Sequence, residues 1–198
     1  MTADLEDLDD LVRRNDPDRW LASRFIRDPQ ARADVIALYA FDHELNKIAA
    51  IVKEPMMAEI RLTWWTEVLD EIFDGRPVRR HPAVLALADL VARRRLPREQ
   101  LDAMIEPRFD NPASRQAGPV MRLAAFILCG EWPIVACAAE GWVEHDPEQL
   151  KEANETLRGL PARGFPAVAY ATLARAKPGA SDLQKRLRLL WAVLRGKL

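Results

Sequence analysis

The segment from Ala33 to Val52 constrains this chain more than any other, because its apolar residues leave almost no side of a helix for water. At about 100° per residue, Leu38, Phe41, Leu45, Ile48 and Val52 cover one side, while Val35, Tyr39 and Ala50 cover much of the other. A soluble helix that is apolar nearly all round belongs in the middle of a bundle. The polar residues it carries must then face a cavity, a partner or a buried hydrogen bond. Asp42 and Asn46 lie one turn apart and share a face with Tyr39 and Ala50. A satisfied core network and a functional site both remain open for them.

The spacing predicts helices at Asp4–Arg14, Arg19–Phe25, Ala31–Val52, Met56–Phe73, Ala83–Arg94, Arg98–Glu106, Val120–Leu128, Pro133–Gly141, Pro147–Arg158, Phe165–Ala174 and Asp182–Leu194. The fourteen prolines fall mostly between these segments, and no window alternates as a strand would. The expected fold class is therefore all-α, with residues 1–198 forming one helical domain, and 198 residues are enough to bury a full core. The stretch from Phe109 to Pro119 reads as a connection. Leu123 to Glu140 is apolar, but Gly130, Glu131 and Pro133 interrupt it, so two short buried helices are expected there rather than a membrane span.

Composition removes several function classes. Charged residues make up 30% of the chain with the signs balanced to a net −1, which argues against a nucleic-acid partner. Cys129 and Cys137 have no CxxC spacing and the three histidines are scattered, so neither a disulfide framework nor a zinc site is expected. A reducing cytoplasm is the expected compartment. The acidic N-terminal run without an apolar core carries no secretory signal pattern.

Two further helices carry candidate residues. In Met56–Phe73, Asp70 and Asp74 spell DxxxD but lie on the polar face, where solvation explains them. Arg61 projects into the apolar arc of the same helix, where a guanidinium needs a carboxylate, a carbonyl or a bound anion. Pairing of Arg61 with Asp42 inside the bundle is the expectation. In the C-terminal helix, Leu183, Leu187, Leu190, Trp191 and Leu194 form a stripe on an element that also carries Lys185, Arg186, Arg188, Arg195 and Lys197. Such a helix either packs its stripe on the bundle, with basic residues complementing the helix dipole, or docks on a protein or an anionic lipid surface.

The run Ala37-Leu-Tyr-Ala-Phe-Asp-His-Glu-Leu-Asn-Lys-Ile resembles the first signature helix of the squalene/phytoene synthase family, which typically reads Leu-Tyr-Ala-Phe-x-Arg-x-x-Asp-Asp-x-x-Asp. Ala22-Ser-Arg-Phe-Ile, Glu59-Ile-Arg-Leu-Thr-Trp-Trp, Gly75-Arg-Pro, His81-Pro and Leu96-Pro-Arg-Glu extend the likeness over residues 18 to about 110. It continues more weakly through Leu123–Trp142 and the closing helices, which resemble a bacterial branch. The resemblance implies a shortened helical bundle of the isoprenoid-synthase type. It also implies a chemistry in which magnesium ions, held by carboxylates on two facing helices, neutralise an allylic diphosphate as it ionises.

Here the signature departs from the family. His43 stands at the arginine position, and Asn46, Lys47 and Ala50 stand at the aspartate positions. No second signature is found, Glu152-Ala-Asn-Glu-Thr-Leu-Arg sharing only a local Asn and Arg with it. Asp42 with Asn46 recreates an i, i+4 pair, but this would move a metal about 6 Å along the helix. The expectation is a non-catalytic relative with no cofactor, similar to the complex I assembly factor group and acting on a protein partner, such as a respiratory membrane complex, from the cytoplasm or the membrane's inner face. In that reading Tyr39, Asp42, His43, Asn46, Ala50 and Arg61 mark a vestigial cavity. Lys185, Arg186, Arg188, Trp191 and Arg195 then mark a partner or membrane surface. Two alternatives are a magnesium-dependent head-to-head prenyl diphosphate transferase and a prenyl-lipid-binding protein.

Overall fold

Proline placement sets the frame of the fold. Pro17, Pro29, Pro55, Pro82, Pro107, Pro147 and Pro166 each occupy the first turn of a helix. There the missing N–H has no intrahelical partner to lose and the fixed φ suits the helix. Several helices therefore begin one or two residues earlier than the apolar periodicity alone predicts.

The computed structural model describes residues 2–52, 54–130, 136–176 and 179–198. The helices are α1 (Thr2–Asn15), α2 (Pro17–Ser23), α3 (Pro29–Ile51), α4 (Pro55–Phe73), α5 (Pro82–Arg94), α6 (Arg98–Ile105) and α7 (Pro107–Asp110). They continue with α8 (Ala117–Cys129), α9 (Ala136–Val143), α10 (Pro147–Thr156), α11 (Pro166–Ala169), a 3-10 helix at Tyr170–Arg175, and α12 (Asp182–Arg195). No strand occurs among the described residues, and the fold is all-α. The expected helix at Pro133–Gly141 begins outside the described residues, and the described part continues to Val143.

Helix α3 is the hub, packed against α1, α2, α4, α5 and α8. Every residue from Asp34 to Asp42 is buried, which is what an element apolar on all sides requires. Asp28 starts the helix by accepting the Gln30 N–H at 2.9 Å. Its first turns are tied to the end of α5, where Arg93 and Arg94 both donate to the buried carboxylate of Asp34, Arg94 Nε at 2.6 Å. After Asp42 only one side of the helix stays in the core: Leu45 and Ile48 are buried, His43 and Asn46 are half-buried, and Lys47, Ala50 and Ile51 are exposed.

Helix α4 corrects the expectation for Arg61. The helix buries Ala58, Leu62, Trp65, Val68 and Leu69, and Trp65 meets Phe41 edge to face at 5.1 Å. Its first two turns bury Ala58 and Leu62 but leave the flank of Met56, Met57 and Ile60 exposed. Arg61 lies on that uncovered flank and is exposed too. Asp70 and Asp74, on the polar face, pair with Arg98 at 2.5 Å and Arg76 at 3.1 Å.

The connection after Phe109 is short. Ser114 N donates to Asn111 O at 2.8 Å in a turn, and α8 begins at Ala117. Gly130, at φ +92°, closes α8 in a conformation that favours glycine. Gly164 answers a different need: a Cβ there would lie 2.6 Å from Cys129 Sγ, so only glycine lets this loop pass the end of α8.

Candidate functional site

Asp42 is 3% exposed, yet it is among the best-satisfied side chains in the protein. Arg19 of α2 donates through Nη1 to Asp42 Oδ2 at 2.7 Å. Arg108 of α7 donates through Nη2 to Asp42 Oδ1 at 3.0 Å and to Asn46 Oδ1 at 2.8 Å. Its Nη1 bonds the carbonyl of Met104. Both arginines are buried, Arg108 completely.

Aromatic faces complete the surroundings of Arg19. Its guanidinium carbon lies 5.4 Å from the Tyr39 ring centre, 5.1 Å from Trp142 and 5.4 Å from Tyr170, all within cation–π range. Arg19 also pairs with Asp16 at 3.3 Å, and Asp16 caps α2 by accepting the Arg19 N–H at 3.1 Å. Two carboxylates thus face two guanidiniums. Burial pushes the Asp16 carboxyl above its ordinary value against the opposing pull of Arg19. Burial likewise raises Tyr170 and lowers Arg108, the latter against the attraction of Asp42.

Neither arginine belongs to a recognisable motif, although the spacing around each carries a signal. Leu101, Met104, Ile105 and Arg108 follow i, i+3, i+4, i+7 spacing, so Arg108 continues the apolar stripe of α6. Arg19, Ala22, Ser23 and Ile26 repeat the pattern, and all four are buried. A charge at a core position of a helix is a request for a buried counter-ion. For both arginines that counter-ion is Asp42.

A cleft of about 590 Å³ opens beside this network. Tyr39, Asp42, His43, Asn46 and Ala50 line it from α3, and Asp16 and Arg115 face them. Arg61 lies elsewhere, in a separate groove of about 320 Å³ with Ile48, Ile60, Trp64 and His81. The expected Arg61–Asp42 pair is therefore replaced by Arg19 and Arg108. Lys47 leans back along its own helix to Glu44 at 3.1 Å. Asn154, in the weak second-signature candidate, serves the local structure, accepting the Leu198 N–H at 2.6 Å. Among the described residues no three His, Cys, Asp or Glu side chains gather so as to hold a metal ion.

At the other candidate surface, α12 turns Leu189 and Ala192 inward against the 3-10 helix, α11 and α2. The Leu183–Leu187–Leu190–Trp191–Leu194 stripe is exposed, Trp191 at 56% and Leu194 at 70%. Lys185 does not belong to the free surface, because its Nζ pairs with Asp18 at 2.7 Å. Arg186, Arg188 and Arg195 are exposed, and Arg195 stacks on Trp191 at 4.7 Å. No helix among the described residues is long and apolar enough to cross a membrane.

An all-α bundle built round a signature helix of this kind defines the isoprenoid-synthase class of fold. The chain belongs to the squalene/phytoene synthase family, whose profile matches residues 12–116, just over half of the chain. A curated relative from Bos taurus, described as "NADH dehydrogenase (ubiquinone) complex I, assembly factor 6", is 28% identical over 102 residues. That match covers 52% of this chain but only 30% of the relative's length. No solved structure matches.

Proposed function

We propose that this protein is a non-catalytic member of its family that acts by binding protein, as an assembly factor or accessory component of a respiratory membrane complex. The observation that carries the reading is the state of Asp42: both of its oxygens, and the side-chain oxygen of Asn46, accept hydrogen bonds from buried guanidiniums. A magnesium ion needs several free oxygen donors, and carboxylates above all. On this face Asp42, which stands at a variable position of the signature, is taken twice over, Ala50 has no donor, and Lys47 adds positive charge. A divalent cation would have to displace guanidiniums that, among the described residues, pair with no carboxylate other than Asp42 and Asp16. The residues present do not fit the metal, and no step of catalysis is routed through one.

The choice of partner class is supported by the bovine relative, whose description names complex I assembly. The test joins two measurements. Tagged protein purified from its native cell should enrich subunits of the NADH dehydrogenase complex over a control bait, and deletion should lower the level of assembled complex. Incubation with farnesyl diphosphate and magnesium should give no C30 product. Formation of that product would overturn the non-catalytic reading, and failure to enrich any complex subunit would overturn the assembly reading.

A further inference from the structure

The most unusual surface of the molecule is the outer face of α12. On a helical projection the exposed apolar residues Leu183, Leu187, Leu190, Trp191 and Leu194 fill an arc of about 100°. The residues that hold the helix to the bundle, Lys185, Leu189, Ala192 and Val193, lie on the opposite side. The stripe is thus not a badly buried core face. It is a second apolar face, turned outward by a helix whose inner contacts use other residues.

Charge is arranged around this stripe on both sides. Arg186 borders one edge, and Arg188 and Arg195 border the other. Asp182, at the first position of the helix, is its acidic residue. From Asp182 to Leu198 there are five basic side chains against that acid, a net +4, so a chain of net −1 carries −5 over residues 1–181. Lys185 is spent on Asp18 at the inner side, and Arg186, Arg188 and Arg195 are the charges that border the leucines. The end of α2 prolongs that face: Trp20, Arg24 and Phe25 share an apolar groove of about 370 Å³ with Arg186, Leu187 and Leu190. Arg24 stacks on Trp20 at 4.6 Å, as Arg195 stacks on Trp191, and it also pairs with Asp9 at 2.5 Å.

We propose that α12, together with the end of α2, is a docking face for an anionic lipid surface, on which the protein rests peripherally. An apolar stripe with arginines on both edges and indole rings between matches the layering of a bilayer interface, where acyl chains lie beneath a negatively charged headgroup plane. Leucines enter the acyl boundary, Trp191 and Trp20 lie at headgroup level, and the arginine stems extend their charges upward to phosphates. A second copy of this chain would bring one arginine-edged stripe against another, so like charges oppose that occupant. The inference is independent of the assembly reading, because vesicle binding is measured on the purified protein alone.

The experiment is co-sedimentation of the full chain with vesicles of phosphatidylcholine, either alone or with about 30% phosphatidylglycerol, at low and high salt. The anionic vesicles should bind at least about tenfold more tightly, and salt should erase most of that difference. Leu190→Glu with Leu194→Glu, and separately Arg188→Glu with Arg195→Glu, should each lower binding about tenfold or more. Arg158→Glu, an exposed basic position on another face, should not change it. All of these positions are exposed, and far-UV circular dichroism checks that each variant is folded. Quenching by bromine-labelled lipid should drop in Trp191→Phe. The proposal is overturned by equal binding to neutral and anionic vesicles, by no binding, or by binding that survives the Leu190 and Leu194 changes. It is equally overturned if the face proves to be covered by a second copy, seen as a dimer that Leu194→Glu dissociates, or by a protein partner retained through these residues without any vesicle binding.

Discussion

Replacing Asp42 by Asn tests the heart of the structure, because the change is nearly isosteric and removes only charge and acceptor capacity. Asp42 receives Arg19 at 2.7 Å and Arg108 at 3.0 Å, with side chains 4%, 5% and 0% exposed, so solvent screening offers little relief. Asn keeps one acceptor oxygen but turns an NH2 toward the other guanidinium. Removing one partner of a buried ion pair costs about 3–5 kcal/mol. Loss of one to two charge-assisted hydrogen bonds, at about 1.5–3 kcal/mol each, amounts to about 1.5–6 kcal/mol, which brackets that range. In a chain of this size that is a fall in Tm of about 6–20 °C. Urea unfolding at pH 7, followed by far-UV circular dichroism, measures it. Arg61→Glu is the control and should stay within about 0.5 kcal/mol of wild type, since Arg61 is exposed. The triple change Arg19→Met, Asp42→Leu, Arg108→Met removes three of the four charges, leaving Asp16, which is 27% exposed, and should be more stable than Asp42→Asn by about 2 kcal/mol. An Asp42→Asn cost below about 1 kcal/mol, or an equal cost from Arg61→Glu, would refute the account of the network.

Gly164→Ala should destabilise by about 1–3 kcal/mol, because the new Cβ meets Cys129 Sγ at 2.6 Å, and Cys129→Ala in the same chain should recover most of the loss. For Asp16 the folded carboxyl is raised, so its contribution is complete below the ordinary carboxylate value and is lost as pH rises through the folded one. Asp16→Asn keeps the α2 cap. Thermal melts from about pH 3.5 to 7 should therefore shift in favour of the variant as pH rises, and a shift toward wild type would contradict the burial argument. Asn46→Asp adds a carboxylate one turn from Asp42 that the two guanidiniums do not balance and should lower stability by about 1 kcal/mol with no magnesium dependence of Tm; a magnesium-dependent rise would mean that the acid holds metal instead.

The hub role of α3 was legible because a segment apolar on every side has only one place to go, and Asp34 to Asp42 are buried as that demands. The proline-opened helices were legible as segments and less so as boundaries, since proline at the first helical position reads equally well as the residue before it. Two things escaped for a common physical reason: a projection gives the phase of each residue round a helix but not what covers that phase. Arg61 sits at the edge of the inward arc of α4, on a flank left open although Ala58 and Leu62 at the same height are buried. In α12 the large leucines set the visible stripe, yet Leu189 and Ala192 fill the interface, where a small residue lets the helix approach closely. The Asp42 network escaped because its partners come from α2 and α7, 23 and 66 residues away, and no local pattern joins them.

Direction of dependence matters in reading that network. Asp42 can be viewed as a remnant of an acidic face that two arginines happen to neutralise, but the packing argues the reverse order of need. Arg108 lies on the core-facing stripe of α6 and α7 with no exposure at all, and Arg19 is enclosed by Tyr39, Trp142 and Tyr170. Neither guanidinium can reach water, so each requires an anion inside the protein, and Asp16 alone serves only Arg19. Asp42 is the acid within reach of both, and Asn46 supplies Arg108 with a further acceptor without adding a charge the site has no cation to match. Asp42 is held in place by the fold's own cations, and its role is explained without appeal to a metal it would otherwise have to share with them.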